Sequence, residues 1–194
     1  MSSIALTGDT SGQINVAAPA VAGTNTLTLQ AATATNAVNT LATAVASTSG
    51  TAIDFTNIPS WCKRVTVMFQ GVSTNGTNNL QIQLGAGSVT TSGYAGSVSY
   101  GGSGATTFNS TGLLIYSLVV AAQNHQGAVT LTLLGSNTWV SVGNLAANTS
   151  SATCFSAGAI ALSGTLDRIR IIASATGSPS DTFDLGNINL LLEG

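Results

Sequence analysis

The chain has 194 residues, enough for one domain with an appendage, and only 5% of them are charged, against about 25% in an average globular protein. Its four basic residues cannot form a patch that follows a phosphate backbone, so the composition argues against nucleic-acid binding. Polar uncharged residues and 22 glycines take the place of charge, which suits a β-protein with polar faces. A net charge of −2 gives little repulsion between copies and favours a place in an assembly.

Residues 1–50 are predicted to be an extended N-terminal arm and linker. Apolar residues alternate there in short pairs, which predicts strands too thin to bury a face of their own. We expect them to be the assembly interface of the arm: Ile4, Leu6, Ile14, Val16, Leu27 and Leu29. Residues 31–50 are of low complexity. Val38, Leu41 and Val45 have the spacing of a short helix, and a linker is the alternative.

The segment 52–71 is the first with sustained apolar content. Pro59 interrupts it, so we predict two strands, Ile53–Thr56 and Lys63–Gln70, joined by a tight corner. In the second strand one face is predicted to line the core (Val65, Val67 and Phe69) and the other to point away from it (Thr66, Met68 and Gln70). Leu166–Ile172 has the same alternation and carries Arg168 and Arg170, and we assign these segments to one sheet.

Residues 51–194 read as a succession of short strands. Further strands are predicted around Leu80–Leu84, Leu113–Val120, Val129–Leu133, Trp139–Val142, Cys154–Leu162 and Asn187–Leu192. The nearly continuous apolar run Leu113–Val120 suggests a central strand covered on both faces, and glycine-rich Ser92–Gly104 suggests a long loop or a bulged edge. The predicted fold class is all-β: an antiparallel β-sandwich or jelly-roll-like domain over residues 51–194, preceded by the arm.

Several stretches resemble bacteriophage structural proteins. SGQINVAAPAVAGTNTLTL resembles N-terminal segments of phage fibre and virion proteins. IDFTNIPSWCKRVTVMFQGVSTNGT, LSGTLDRIRI and DTFDLGNINLLLEG together resemble a β-rich domain of phage structural proteins, with a looser match over about 86–160. The resemblance implies a virion component, often trimeric, on the head or the tail, made in the host cytoplasm. It implies no active site.

No catalytic or cofactor motif is evident. His125 is the single histidine and lies in a polar run that predicts a surface loop, and neither a Gly-x-Ser-x-Gly elbow nor a phosphate-binding loop occurs. Asp181 and Asp184 could form a carboxylate pair for glycoside hydrolysis or a calcium site, but salt bridges between Asp54 or Asp184 and the arginines are the preferred interpretation. We therefore expect no enzyme activity, no metal and no cofactor.

The remaining predictions concern thiols, aromatics and targeting. Cys62 and Cys154 allow one disulfide, although two buried reduced thiols are preferred. Tyr94 and Tyr100 could stack on a host glycan, although packing against the core is the preferred interpretation. The N-terminus lacks the pattern of a signal peptide, and no apolar run is long enough to span a membrane.

Three functional hypotheses follow. The first is a homotrimeric capsid decoration or cement protein that binds the major capsid protein through its arm. The second is a tail or head fibre or adaptor module that binds a host surface glycan. The third, an enzyme such as a depolymerase, has the least support, because nothing in the sequence suggests a substrate cleft.

Overall fold

The protein is described by a computed structural model that covers residues 3–7, 13–17, 38–101, 106–117, 119–148 and 153–194. The chain divides into two compact units, Met1–Asn36 and Ala37–Gly194. The described residues form strands and contain no helix.

The first unit contains a hairpin. Strands β1 (Ser3–Thr7) and β2 (Gln13–Ala17) pair antiparallel, with Ile4 opposite Val16 and Leu6 opposite Ile14. Four of the six arm residues named above lie in this hairpin. Leu27 and Leu29 lie outside the described residues.

The second unit contains two antiparallel sheets, which confirms the predicted all-β class. The larger sheet has nine strands, and its order is β10-β9-β14-β13-β12-β6-β16-β3, with β4 also paired to β16. Their bounds are β3 Asn39–Leu41, β4 Val45–Ala46, β6 Arg64–Thr74, β9 Ala95–Tyr100, β10 Thr106–Asn109, β12 His125–Gly135, β13 Thr138–Ala147, β14 Thr153–Ala161 and β16 Phe183–Glu193.

The smaller sheet has five strands in the order β11-β7-β15-β5, with β8 paired to β7. Their bounds are β5 Ala52–Thr56, β7 Leu80–Ala86, β8 Ser88–Val89, β11 Leu113–Tyr116 and β15 Arg168–Ala173. One continuous cluster of buried apolar side chains contains residues of both sheets, as in a sandwich. The central positions of this core include Val67, Ile82, Leu131, Ile171 and Leu190, which have no measurable solvent exposure.

The predicted faces of β6 are confirmed. Val65 and Val67 are fully buried and Phe69 is 4% exposed, whereas Gln70 on the opposite face is exposed. The two-residue turn Ser136–Asn137 joins β12 to β13, and both of its residues have positive φ (47° and 62°), as a type I′ hairpin turn requires.

The assignment of β5, β6 and β15 to one sheet was wrong. β15 pairs with β5, but β6 lies in the larger sheet between β12 and β16. The corner after β5, where Asn57 has φ 62° and Pro59 follows, takes the chain from one sheet to the other. A prediction from alternation alone cannot distinguish these arrangements, because both sheets bury the same kind of face.

Three local predictions also need correction. The segment with helical spacing forms strands β3 and β4, which pair with β16. The glycine-rich segment contains β9, which pairs with both β10 and β14. β11 is buried as expected, but it is the end strand of its sheet, and its burial comes from packing against β9, β13 and β14 of the larger sheet.

Candidate interaction face

The side of the larger sheet that points away from the core, which we call the outer face, is the broadest regular surface of the second unit. Residues directly opposite one another on paired strands point to the same side. One cross-strand row runs through eight strands and consists of Phe108, Ser97, Ala157, Val142, Thr130, Thr66, Leu191 and Leu41. The sheet is therefore continuous from edge strand β10 to edge strand β3.

The outer face is almost free of charge. Among the described residues in the regularly paired region, its charged side chains are Arg64 and Glu193, which are opposite each other in β6 and β16. Their Nε and Oε2 atoms are 3.5 Å apart, so the pair is locally neutral. Asp184 lies at the irregular start of β16, where two register shifts interrupt the pairing. An unpaired charge buried against this face would lose its hydration without compensation, so the face favours contact with uncharged surfaces.

Large apolar side chains are exposed on this face. Phe108 is 69% exposed, Val142 64%, Leu41 63% and Phe155 56%. They belong to four different strands, and threonine, serine, alanine and asparagine fill the positions between them. Together with the neutrality of the sheet, these exposed side chains make the outer face a candidate protein interface.

The sequence pattern of β13 does not show which of its residues belong to the outer face. Val140 and Val142 look like core residues, yet they point outward, and Ser141 and Gly143 point inward. The inward position at Gly143 must be small because a Cβ there would lie 2.7 Å from the carbonyl oxygen of Ala128 and equally close to a methyl group of Val129. Small inward residues combined with apolar outward ones were the signal available in the sequence.

The smaller sheet of the second unit differs in chemistry from the outer face. On the smaller sheet Arg170 binds Asp54 through two hydrogen bonds, Nε to Oδ1 at 2.7 Å and Nη2 to Oδ2 at 2.8 Å, which confirms the predicted salt bridge of Asp54. A further ion pair joins Arg168 to Asp167, and this guanidinium lowers the pKa of the Asp167 carboxyl. The charges of the second unit are thus concentrated away from the outer face.

Two buried glutamines of the smaller sheet form hydrogen bonds with loops that cover part of that sheet. Gln83 Nε2 donates to the carbonyl oxygens of Thr111 (2.9 Å) and Gly177 (2.8 Å). Gln81 Nε2 donates to the carbonyl oxygen of Ser174 (2.9 Å), and its Oε1 accepts from Asn109 Nδ2 (3.0 Å). These hydrogen bonds hold two loops against the sheet, so less of it is available to a partner than of the larger sheet.

His125 is not in a surface loop, contrary to the prediction. It begins β12, has no measurable exposure, and its Nδ1 lies 3.0 Å from the carbonyl oxygen of Val72. Its ring packs edge-on against Tyr116, with the centroids 4.4 Å apart. Burial lowers the pKa of His125, which keeps the imidazole neutral. His125 therefore has a structural role as a polar residue of the core, although the polar run around it resembles a surface loop in sequence.

Tyr94 does not offer an exposed ring to a sugar, so this part of the glycan hypothesis was wrong. The side chain is 2% exposed, and its hydroxyl accepts from the Leu84 N–H at 2.7 Å and donates to the Thr90 carbonyl at 2.9 Å. Desolvation raises the pKa of Tyr94 to about 12. Tyr100 is partly buried and packs against the core. The tyrosines thus stabilise the fold near the base of the glycine-rich segment.

The carboxylates and thiols have structural partners. Asp181 is 9% exposed and accepts hydrogen bonds from the backbone N–H of Asn78 (2.8 Å) and from its Nδ2, whereas Asp184 is exposed. No group of three or more His, Cys, Asp or Glu side chains that could hold a metal occurs within the described part of the chain. Cys62 and Cys154 are buried free thiols, which agrees with the preferred prediction from the sequence. Burial raises the pKa of both thiols.

In the ranges that the structure covers, no helix has the length and apolar character to cross a membrane. Comparison of the chain with protein-family models, with curated proteins and with solved structures found no match. A functional assignment therefore depends on the residues and on the outer face that they form.

Proposed function

We propose that the protein is a non-enzymatic structural component of a bacteriophage virion, a homotrimeric capsid decoration protein attached through its N-terminal arm. The observation that carries the proposal is the outer face: a broad, neutral sheet surface on which Phe108, Val142, Phe155 and Leu41 are exposed. Exposed apolar area of this kind is stabilised when another protein surface covers it.

The size of the face supports a stable contact. Seven steps between adjacent strands at about 4.8 Å each span roughly 34 Å, and three rows of side chains extend about 20 Å along the strands. The resulting area, on the order of 700 Å², approaches the ~800 Å² per partner of a standard protein interface. An assembly role needs no active site, in keeping with the structural roles of His125, Asp181 and both thiols.

The arm supplies the proposed attachment. Hairpin β1–β2 has only five residues in each strand, and a two-stranded hairpin of this size is marginally stable by itself in water. Pairing with the backbone of a capsid subunit would extend the hairpin to three or more strands and stabilise it. A fibre or adaptor module would use the same self-association and differ in its location on the particle.

The experiment is to identify the protein in purified virions and to locate it there. Mass spectrometry of gradient-purified particles should detect the chain in many copies, and cryo-electron microscopy should place its density on the capsid surface. Particles that lack the chain should bind added full-length protein but not a variant without residues 1–30. Absence of the chain from purified particles would contradict the proposal, and density on the tail would favour the fibre alternative.

A further inference from the structure

The loop that follows β6 contains the dipeptide Asn75–Gly76, the only Asn-Gly pair in the chain. Asn75 is exposed and Gly76 is partly exposed. Asparagine is among the chemically labile residues, because the backbone nitrogen of the following residue can attack its side-chain amide carbon and close a succinimide ring. Glycine in the following position has no side chain to obstruct the attack and leaves the backbone free to rotate. The dipeptide therefore has the sequence of a deamidation site.

The side-chain amide of Asn75 is polarised by a hydrogen bond. Its Oδ1 accepts from the backbone N–H of Thr182 at 2.9 Å, and the backbone N–H of Asn75 donates to the carbonyl oxygen of Thr182, also at 2.9 Å. A donor at Oδ1 makes Cγ more electrophilic and stabilises the oxyanion that forms when a nucleophile adds to Cγ. Asn75 Nδ2 has no hydrogen-bond partner among the described residues, so no contact retains it as a leaving group.

The attacking nitrogen is available as well. The Gly76 N–H donates no hydrogen bond within the described part of the chain. Asn57 provides a contrast, because it is also exposed but is followed by Ile58, whose N–H donates to the carbonyl oxygen of Asp167 at 3.0 Å. The branched side chain of Ile58 further restricts the approach of its nitrogen to the preceding amide. Exposure is thus common to Asn57 and Asn75, and only Asn75 is followed by a free nucleophile.

The fold requires the glycine that makes this dipeptide reactive. A Cβ on Gly76 would overlap the carboxylate group of Asp181. That carboxylate is only 9% exposed, and it accepts hydrogen bonds from the backbone N–H of Asn78 at 2.8 Å and from Asn78 Nδ2 at 2.6 Å. A larger residue at position 76 would displace Asp181 and break these hydrogen bonds. The packing that holds this loop therefore also fixes the reactive sequence.

We propose that Asn75 is a site of spontaneous deamidation in the folded protein. The Gly76 nitrogen loses its proton to solvent and bonds to Cγ of Asn75. The bond from Cγ to Nδ2 then breaks, and the amide nitrogen takes up a proton and leaves as ammonia. Water opens the resulting succinimide at either of its two carbonyl carbons, which leaves aspartate or isoaspartate at position 75. The reaction consumes one water, releases one ammonia and changes no oxidation state.

The modification should weaken the contact between this loop and the segment before β16. Either product adds a negative charge at position 75, next to Gly76 and its neighbour Asp181, so two carboxylates repel each other. Isoaspartate also inserts a methylene group into the backbone immediately after the N–H that pairs with Thr182. Both changes disturb the hydrogen bonds that join the end of β6 to the start of β16. The deamidated protein should therefore melt at a lower temperature than the fresh protein.

The test is to incubate the purified full-length protein at mildly alkaline pH and to follow each asparagine by peptide mass spectrometry. Position 75 should deamidate at least about tenfold faster than Asn57, the exposed internal control. Asn75→Gln should not accumulate the corresponding acidic species, because glutamine closes its larger ring more slowly. The acidic fraction of the unmodified protein, separated by anion exchange, should have the lower melting temperature. Equal rates at positions 75 and 57, or reaction at position 75 only after unfolding in urea, would overturn the proposal. An acidic fraction as stable as the fresh protein would contradict the role given to the Asn75–Thr182 contact.

Discussion

The imidazole of His125 packs edge-on against the ring of Tyr116, with centroids 4.4 Å apart and planes at 69°. His125 Nδ1 is within hydrogen-bonding distance of the Val72 carbonyl, and Nε2 has no partner among the described residues. The groups that face this ring, the Val72 carbonyl and Tyr116, provide no negative charge, so the folded state favours neutral imidazole.

Acid should therefore destabilise the protein through His125. Its pKa is lowered in the folded state from an unfolded value near 6.5, so the unfolded chain binds the proton more tightly. The contribution of His125 to the free energy of unfolding should be at its full value above about pH 6.5. As the pH decreases below that value, the free energy of unfolding should fall by up to about 1.4 kcal/mol per pH unit for one proton. Urea unfolding between pH 7.5 and 5 should show this slope in the unmodified protein. His125→Gln should be less stable at pH 7.5 but should lack most of the slope, and an unchanged slope would show that other groups cause it.

Substitution in β6 should reveal its two faces. Phe69 is 4% exposed in the core, so Phe69→Ala should lower the free energy of unfolding by about 3–5 kcal/mol. Thr66 is on the outer face, and Thr66→Ala should have a much smaller effect, within about 1 kcal/mol, in the monomeric unit. Chemical denaturation of both variants provides the measurement, and similar losses would mean that the assigned faces are wrong.

Two glycines where β6 and β16 bulge should differ in their tolerance of a side chain. A Cβ on Gly186 would lie 2.5 Å from backbone atoms of Gly71, and its φ of 97° is unfavourable for alanine. Gly71 has φ 63°, but no atom lies within 4 Å of the position that a Cβ would take there, so strain is limited to about 1–2 kcal/mol. Gly186→Ala should thus lower the melting temperature clearly more than Gly71→Ala. The reverse order would contradict the close approach of the two strands.

Local patterns in the sequence predicted most strands and the inward face of β6, because alternation depends on neighbouring residues. Sheet membership was not predictable in the same way. β5 and β15 pair through Asp54 and Arg170, which are separated by more than a hundred positions, and only long-range packing determines that pairing.

The candidate face was missed for a related reason. Val142 resembles a core residue until the register with Thr130 and Ala157 shows that it points outward. His125 was misplaced because the surrounding polar run resembles a loop, although buried polar residues are stable when hydrogen bonds satisfy them.

The central claim is that the outer face holds copies of this chain together, and native mass spectrometry of Val142→Glu tests it most directly. Val142 is 64% exposed near the middle of the face, so the substitution should leave the fold intact but place a charge in the proposed interface. Thr56→Glu, at an exposed position of β5 in the smaller sheet, is the matched control. Circular dichroism should show that both variants are folded. We predict trimers for the unmodified protein and for Thr56→Glu, and monomers for Val142→Glu. A Val142→Glu variant that remains trimeric at the same concentrations would contradict the account.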